Sequence, residues 1–413
     1  MSGASYRRAS TKTPTLLAVA CLLGALGALG ACVDDNPGAD TGQDVIEQPD
    51  ASLDARPEAG PVDDAGPDAA PDAWVWATVP CDATFIELPP SGDTLTQFVN
   101  NWGRYVVYDD RRVPGGNTNQ DIYLYDLHTC TEYQLTNAPG IQVGPAIWQS
   151  EIVWADCQDG STFDDDLING FSIETASFDT LTPPGMSWGV AFNDRYLVAF
   201  STEGEVGPFS FHAVLIDRWT ADETIISESW QGAEHFSMSE THLAWIMSCA
   251  GCGGVADVFY MDLATKDIVH LEDTVPGNQL RPTTWGDYIL WQDDREGGNW
   301  KIFAHRMSTG ETWKLVDDPM TGSGPYLRGN LATWYSCYYA SDCTFVGGDI
   351  ILYDLETEVF RRVTTESAYY RARYAHGDWL VYLLSMGGDN YKMYAAHMQA
   401  TGLVDQNGHV IPE

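Results

Sequence analysis

Four groups of side chains in this sequence have the types and spacings that could do chemistry. The first is its nine cysteines, among which Cys249-Ala250-Gly251-Cys252 and the pair Cys337 and Cys343 are close enough for a dithiol or a disulfide. A working dithiol needs a helix N-terminus to lower its thiol pKa, and no helical periodicity surrounds either pair. Both are expected to be disulfides pinning loops, each adding at most a few kcal/mol. Cys81 and Cys130 each precede an outer strand of neighbouring repeats, so a bond between them would fix the front of the chain. Cys157 is then left without a mate.

The second group, Gly185-Met186-Ser187-Trp188-Gly189, matches the G-x-S-x-G pattern of serine hydrolases. That chemistry needs a strand-turn-helix elbow beside a histidine. Ser187 falls on a connection between repeats, so no catalytic residue is assigned. The third group is acidic: Asp109, Asp110, Asp156, Asp159, Asp164, Asp165, Asp166, Asp293 and Asp294 lie at strand ends or in the loops that follow. Calcium is the metal such runs would take, but Asp164 to Gly170 lacks the order of an EF-hand loop. Turn capping and solvation are the expected roles, and no cofactor is assigned. The fourth group is Arg281, Arg371 and Arg373 with His235, on predicted inner strands. Gathered at a channel mouth they could hold an anionic group such as a carboxylate, and apart they would pair with neighbouring acids.

The elements that must position these groups are seven short apolar strands, each closing on an aromatic ring. They read YVVYDD (Tyr105 to Asp110), IVWAD (Ile152 to Asp156), YLVAF (Tyr196 to Phe200), HLAWIM (His242 to Met247), YILWQDD (Tyr288 to Asp294), LATWYS (Leu331 to Ser336) and WLVYLL (Trp379 to Leu384). Their rings, Tyr108, Trp154, Phe200, Trp245, Trp291, Trp334 and Tyr382, recur every 43 to 48 residues. A fixed period of that size marks repeated supersecondary units. Four strands of about six residues with loops of about five account for it. Pro145, Pro282 and Pro325 each lie nine residues before the ring of their own unit. Proline is confined to sheet edges, so the strand that holds them should be the free inner edge around a channel. The segment Thr84 to Leu88 resembles the outer strand missing from the last unit and is expected to close the ring; Gly408 to Pro412 is the competing closure.

The pattern of the outer two strands, as in DIYLYDLHTCTEYQLT (Asp121 to Thr136) and DIILYDLETEVFRRVT (Asp349 to Thr364), resembles the TolB-like, WD40-like β-propeller repeats. The resemblance runs from about residue 83 to the C terminus and implies an all-β, seven-bladed propeller of four-stranded antiparallel blades. It also implies association with cell-envelope proteins, although no partner-binding motif of that family can be placed on particular residues here.

The front of the chain points the same way. Residues 1–31 combine Arg7, Arg8 and Lys12 with an apolar run from Leu16 to Leu29, as a cleaved export signal does. Leu29-Gly30-Ala31-Cys32 resembles the lipobox of bacterial lipoproteins, which implies lipidation of Cys32. Residues 32–80 are rich in Asp, Ala, Pro and Gly and are expected to be a disordered tether, with the propeller filling 81–413. The chain carries 59 acidic and 21 basic residues, a net charge of −38, which argues against nucleic acid or an anionic bilayer as a direct partner. The expectation is a monomeric outer-membrane lipoprotein, periplasmic or surface-exposed, touching the membrane through its lipid only. It would act as a binding or scaffolding module for an envelope protein or glycan. The alternative is a carbohydrate-active propeller enzyme, a polysaccharide lyase or glycoside hydrolase; the nine histidines show no metal-ligand spacing.

Overall fold

The computed structural model describes residues 75–78, 84–89, 98–111, 119–157, 166–201, 212–227, 233–248, 255–271, 277–297, 299–317, 321–337, 348–364, 370–387 and 390–413. No helix occurs among them. Hydrogen-bond pairing gives five separate four-stranded sheets and one nine-stranded sheet. The larger sheet is two antiparallel meanders, joined where Asn119 and Gln120 run parallel to Gly140 and Ile141. Among the described residues seven such meanders, the blades, therefore follow one another, and the strands of each are called A to D.

The A strands are Val99–Trp102, Gly140–Trp148, Met186–Phe192, Ala233–Met238, Gln279–Trp285, Thr321–Arg328 and Tyr370–His376. Each touches the next and the last touches the first, so together they surround a central axis. The outer C and D strands are joined by tight turns with a common chemistry. The aspartate ending strand C caps the turn, as when Asp126 Oδ1 accepts from His128 N at 2.9 Å and Asp262 Oδ1 from Ala264 N at 2.8 Å. Four residues later the backbone is left-handed, at Cys130 (φ 51°), Ala221 (φ 60°), Lys266 (φ 65°) and Glu358 (φ 57°). A left-handed residue there gives the turn the twist that the two strands need.

The ring is closed by the early strand Phe85–Glu87, which pairs with Asn390–His397 through Phe85↔Ala396, Ile86↔Ala395 and Glu87↔Tyr394. Ile86 and Leu88 are each 1% exposed and join Tyr108, Val381 and Leu383 in the core between the last blade and the first. The competing C-terminal segment forms an isolated bridge, Val404↔Val410, and ties to Asp354 through His409 instead. Val75–Thr78, which the sequence places in the tether, is a strand antiparallel to Thr131–Gln134. The run Val75-Trp76-Ala77-Thr78 is rich in residues that favour strands, and the D strand of the first blade leaves an edge free for it. The signal segment, Cys32 and residues 33–74 lie outside the described residues.

Alternation along strand B decides what each blade shows its neighbours. Ile152 and Trp154 pack towards the first blade, against Val107 and Ile122, while Val153 packs towards the third, against Leu197 and Ala199. The same parity sends Trp245, Trp291, Trp334 and Tyr382 towards the preceding blade. Phe200 does not follow it. Ala199 holds the ring position in the third blade, and Phe200 is half-buried on the opposite face, 5.6 Å from Phe236 of the fourth blade. One residue of offset along a strand changes faces, and an alignment by rings alone overlooks it.

Candidate functional site

The A strands build a channel in two tiers. Each A strand from the second blade onward has an irregular register against its B strand, with extra residues opposite a single partner. In four blades one of these residues is left-handed: Gly144 (φ 66°), His235 (φ 52°), Arg281 (φ 53°) and Gly324 (φ 57°). Pro145, Pro282 and Pro325 follow three of them. A bulge leaves a residue out of the ladder, so a proline's missing N–H costs nothing there, which explains the fixed spacing of these prolines from the rings.

Below the bulges lies a cavity of about 220 Å³, lined by all seven A strands. Its polar wall includes Asn100, Ser237, Thr283 and Tyr326, and Tyr374 lines it from the last blade. The A strands end at the tight A–B turns, and there the channel is stopped. Trp102, Trp148 and Trp285, from blades one, two and five, meet with ring centroids 4.9 to 5.9 Å apart. His376 of the last blade lies against Trp102, ring centroids 4.3 Å apart and the planes tilted by 47°. Arg328 of the sixth blade lies over all three indoles, 4.7, 5.3 and 5.0 Å from the centroids of Trp102, Trp148 and Trp285. The channel therefore ends blind on an aromatic plug with a cation at its centre.

Two of the four channel cations expected from the sequence are brought together. His235 and Arg281 occupy equivalent bulge positions on adjacent blades, with exposed side chains. Arg281 Nη1 also lies 3.5 Å from Ser323 Oγ. Enclosure by the ring, and after it the charge of Arg281, push the His235 imidazole down to about 4. The imidazole is therefore neutral near pH 7. Arg371 and Arg373 lie on the last A strand, Tyr370–His376, with Arg373 opposite Tyr382; their side chains lie outside the described residues.

The acids act as anchors where they are described. Asp109 accepts from Phe98 N (2.9 Å) and Gly144 N (3.2 Å), tying the second blade to the first. Asp156 is pushed up by burial, opposed by hydrogen bonds from Gln142 and Asn169. Asp293 accepts from Trp291 Nε1 at 2.8 Å and pairs with Arg295 at 2.6 Å, and Asp294 accepts from Asn278 N at 2.6 Å. Asp110 and Asp166 are buried; Asp159, Asp164 and Asp165 lie outside the described residues. Among the described residues no three His, Cys, Asp or Glu side chains come together as a metal site. Ser187 sits on the third A strand, opposite Phe200, not on a connection between blades.

Cys130, Cys157 and Cys337 are fully buried and disulfide-bonded. Cys81, Cys249, Cys252 and Cys343 lie outside the described residues. Cys157 is therefore not the odd thiol that the sequence suggests. It ends its B strand, Glu151–Cys157, as Cys337 ends Leu331–Cys337.

The plug is the part of the site that the sequence reading lacks. Its signal is nonetheless present: Trp102-Gly103, Trp285-Gly286, Arg328-Gly329 and His376-Gly377 each stand just before a B strand, an aromatic or cationic residue followed by a glycine.

No protein-family model matches this sequence, and no curated protein matches it. Solved structures do match in fold. An oligogalacturonate lyase in complex with manganese aligns with a TM-score of 0.55 at 12% identity, over 76% of this chain and 92% of that one. The acylaminoacyl peptidase of Pyrococcus horikoshii aligns with a TM-score of 0.56 at 13% identity, over 73% of this chain but 51% of the peptidase. TolB from Acinetobacter baumannii is also among the matches, with a TM-score of 0.40 at 13% identity, over 74% of this chain and 81% of that one. Sequence identities this low carry the fold and nothing finer. What the lyase and peptidase alignments and the blades above show is an all-β propeller of four-stranded antiparallel blades, similar in architecture to those two proteins.

Proposed function

We propose that this chain is a lipid-anchored binding module of the cell envelope, whose channel mouth receives an anionic group of a protein partner. One observation carries the reading. At equivalent bulge positions the second and sixth blades use glycine, Gly144 and Gly324, while the fourth and fifth hold His235 and Arg281 in the same left-handed backbone. A bulky residue there costs on the order of 1 kcal/mol. Strain kept at neighbouring positions around one opening points to a use for the side chains rather than for the backbone. Arg281 supplies the charge, and neutral His235 adds a hydrogen-bonding ring beside it.

The test is capture from envelope extracts by the immobilised protein, compared with the His235→Gly, Arg281→Gly double variant. The reading expects proteins retained by the parent and lost by the variant; equal capture contradicts it. The anchor is tested separately, by incorporation of labelled fatty acid that disappears in Cys32→Ala.

A second reading is supported by the fold shared with oligogalacturonate lyase over 92% of that enzyme: the mouth could take the acidic sugars of a glycan. Incubation with polygalacturonate separates the two. An unsaturated product, seen by its ultraviolet absorbance, supports a lyase, and none supports the binding module.

A further inference from the structure

Arg328, at the blind end of the channel, is a cation whose hydrogen-bonding capacity is largely unused. Its Nε donates to Tyr326 Oη at 2.9 Å. Its Nη1 is buried and, among the described residues, has no acceptor. Among the described residues no carboxylate pairs with it. A guanidinium carries five N–H donors in a rigid fork, and here the protein fills one.

The three indoles around Arg328 answer its charge but not its donors. An aromatic face attracts a cation through its quadrupole, yet gives an N–H no lone pair of the strength that a carboxylate offers. The Arg328 side chain as a whole is partly buried, but a guanidinium N–H that is itself buried without an acceptor, as at Nη1, is costly. The same residue lines the 220 Å³ cavity together with Asn100, Thr283 and Tyr326, so a ligand in that cavity can reach it.

We infer that the floor of the channel is a binding site for a single carboxylate, held by the Arg328 fork with the hydroxyl and amide groups of the wall beside it. The match is one of charge and shape. His376 is neutral near pH 7, since burial and then Arg328 push it down to about 4, and its Nδ1 already accepts from Gly103 N. Among the described residues Arg328 is thus the one full charge at the floor, which balances a monoanion and leaves a dianion in excess. The fork suits a planar carboxylate better than a spherical halide. The cavity is smaller than the usual ligand pocket, so it fits a small acid or the end of a chain threaded from the mouth. This site is separate from the pair His235 and Arg281, and stands whether or not a protein docks there.

Titration calorimetry on the intact protein at constant ionic strength tests it, with sodium acetate, and with triglycine bearing a free or an amidated C terminus, as probes. One-site binding of acetate identifies a small free acid; binding of free but not amidated triglycine identifies a chain end; either supports the site. Arg328→Met should weaken that binding at least tenfold. Arg328→Lys, which keeps the charge and loses the fork, should weaken it several-fold and serves if the methionine variant does not fold. The inference is overturned if neither probe binds the parent, if chloride competes as well as the carboxylate, or if the Arg328 variants bind as tightly as the parent.

Discussion

Gly103 and His376 lie 273 residues apart in the chain and meet through a 2.7 Å hydrogen bond from the Gly103 amide to His376 Nδ1. The two turns approach so closely that a Cβ on Gly377 would come within 3.1 Å of Gly103 Cα. A proton on Nδ1 would turn that acceptor into a second donor, so this contact between the first and last blades requires the neutral imidazole. Its folded pKa of about 4 lies below the ordinary imidazole value of 6.5, so the unfolded chain binds the proton more readily. Stability is therefore lost as pH falls from about 6.5 towards 4, by up to about 3 kcal/mol at 1.36 kcal/mol per unit. Thermal midpoints measured over that range should fall more steeply for the parent than for His376→Gln, which cannot titrate.

The parity of strand B separates two residues that look alike in sequence. Trp245 is fully buried, and Trp245→Ala should cost about 3 to 5 kcal/mol. Phe200, half-buried on the other face, should cost clearly less when changed to alanine. Denaturant midpoints of the two variants decide it, and equal losses would place Phe200 back among the inter-blade rings.

At the bulges, stability and binding should move in opposite directions. His235→Gly and Arg281→Gly each relieve a left-handed non-glycine residue and should stabilise the fold by about 0.5 to 1 kcal/mol. The same changes should weaken partner capture. Chemical denaturation checks the first half, and a loss of stability would show that these side chains serve the fold.

The C-terminal segment carries its own pH dependence. His409 Nδ1 lies 2.9 Å from Asp354 Oδ2, and this hydrogen bond, ahead of the nearby acids, raises the imidazole pKa. Burial pushes Asp354 up, but hydrogen bonds from Asn330, the Glu356 amide, His409 and Thr357 outweigh it, and the net shift is down. The histidine's contribution is complete below its unfolded pKa and fades as pH rises through the raised folded value. The aspartate's is complete above its unfolded pKa and fades as pH falls through the lowered one. Protection of the Val404 and Val410 amides, taken relative to intrinsic exchange at each pH, should accordingly be greatest between about pH 4 and 6.5 and smaller at pH 8, with no such fall in His409→Ala.

The fold was legible because its period is written in large apolar residues. Each blade repeats the same burial problem, so strands, turns and even the closing role of Phe85 to Glu87 follow from local pattern. The site was less legible because it forms across blades. Trp102, Trp148, Trp285, Arg328 and His376 are scattered through the chain and meet only when the ring closes. His235 and Arg281 could be placed on inner strands, but their strained backbone becomes visible only in the bulge.

The blind channel exists only if the chain's early strand completes the last blade. The most direct measurement compares the thermal stability of the chain beginning at Thr84 with one beginning at Pro89. Removing Phe85 to Leu88 takes away the buried Ile86 and Leu88 and the pairing with Tyr394, Ala395 and Ala396, a loss of at least roughly 4 kcal/mol. A closed ring predicts that the shorter chain unfolds at a markedly lower temperature or does not fold; an unchanged midpoint would contradict it.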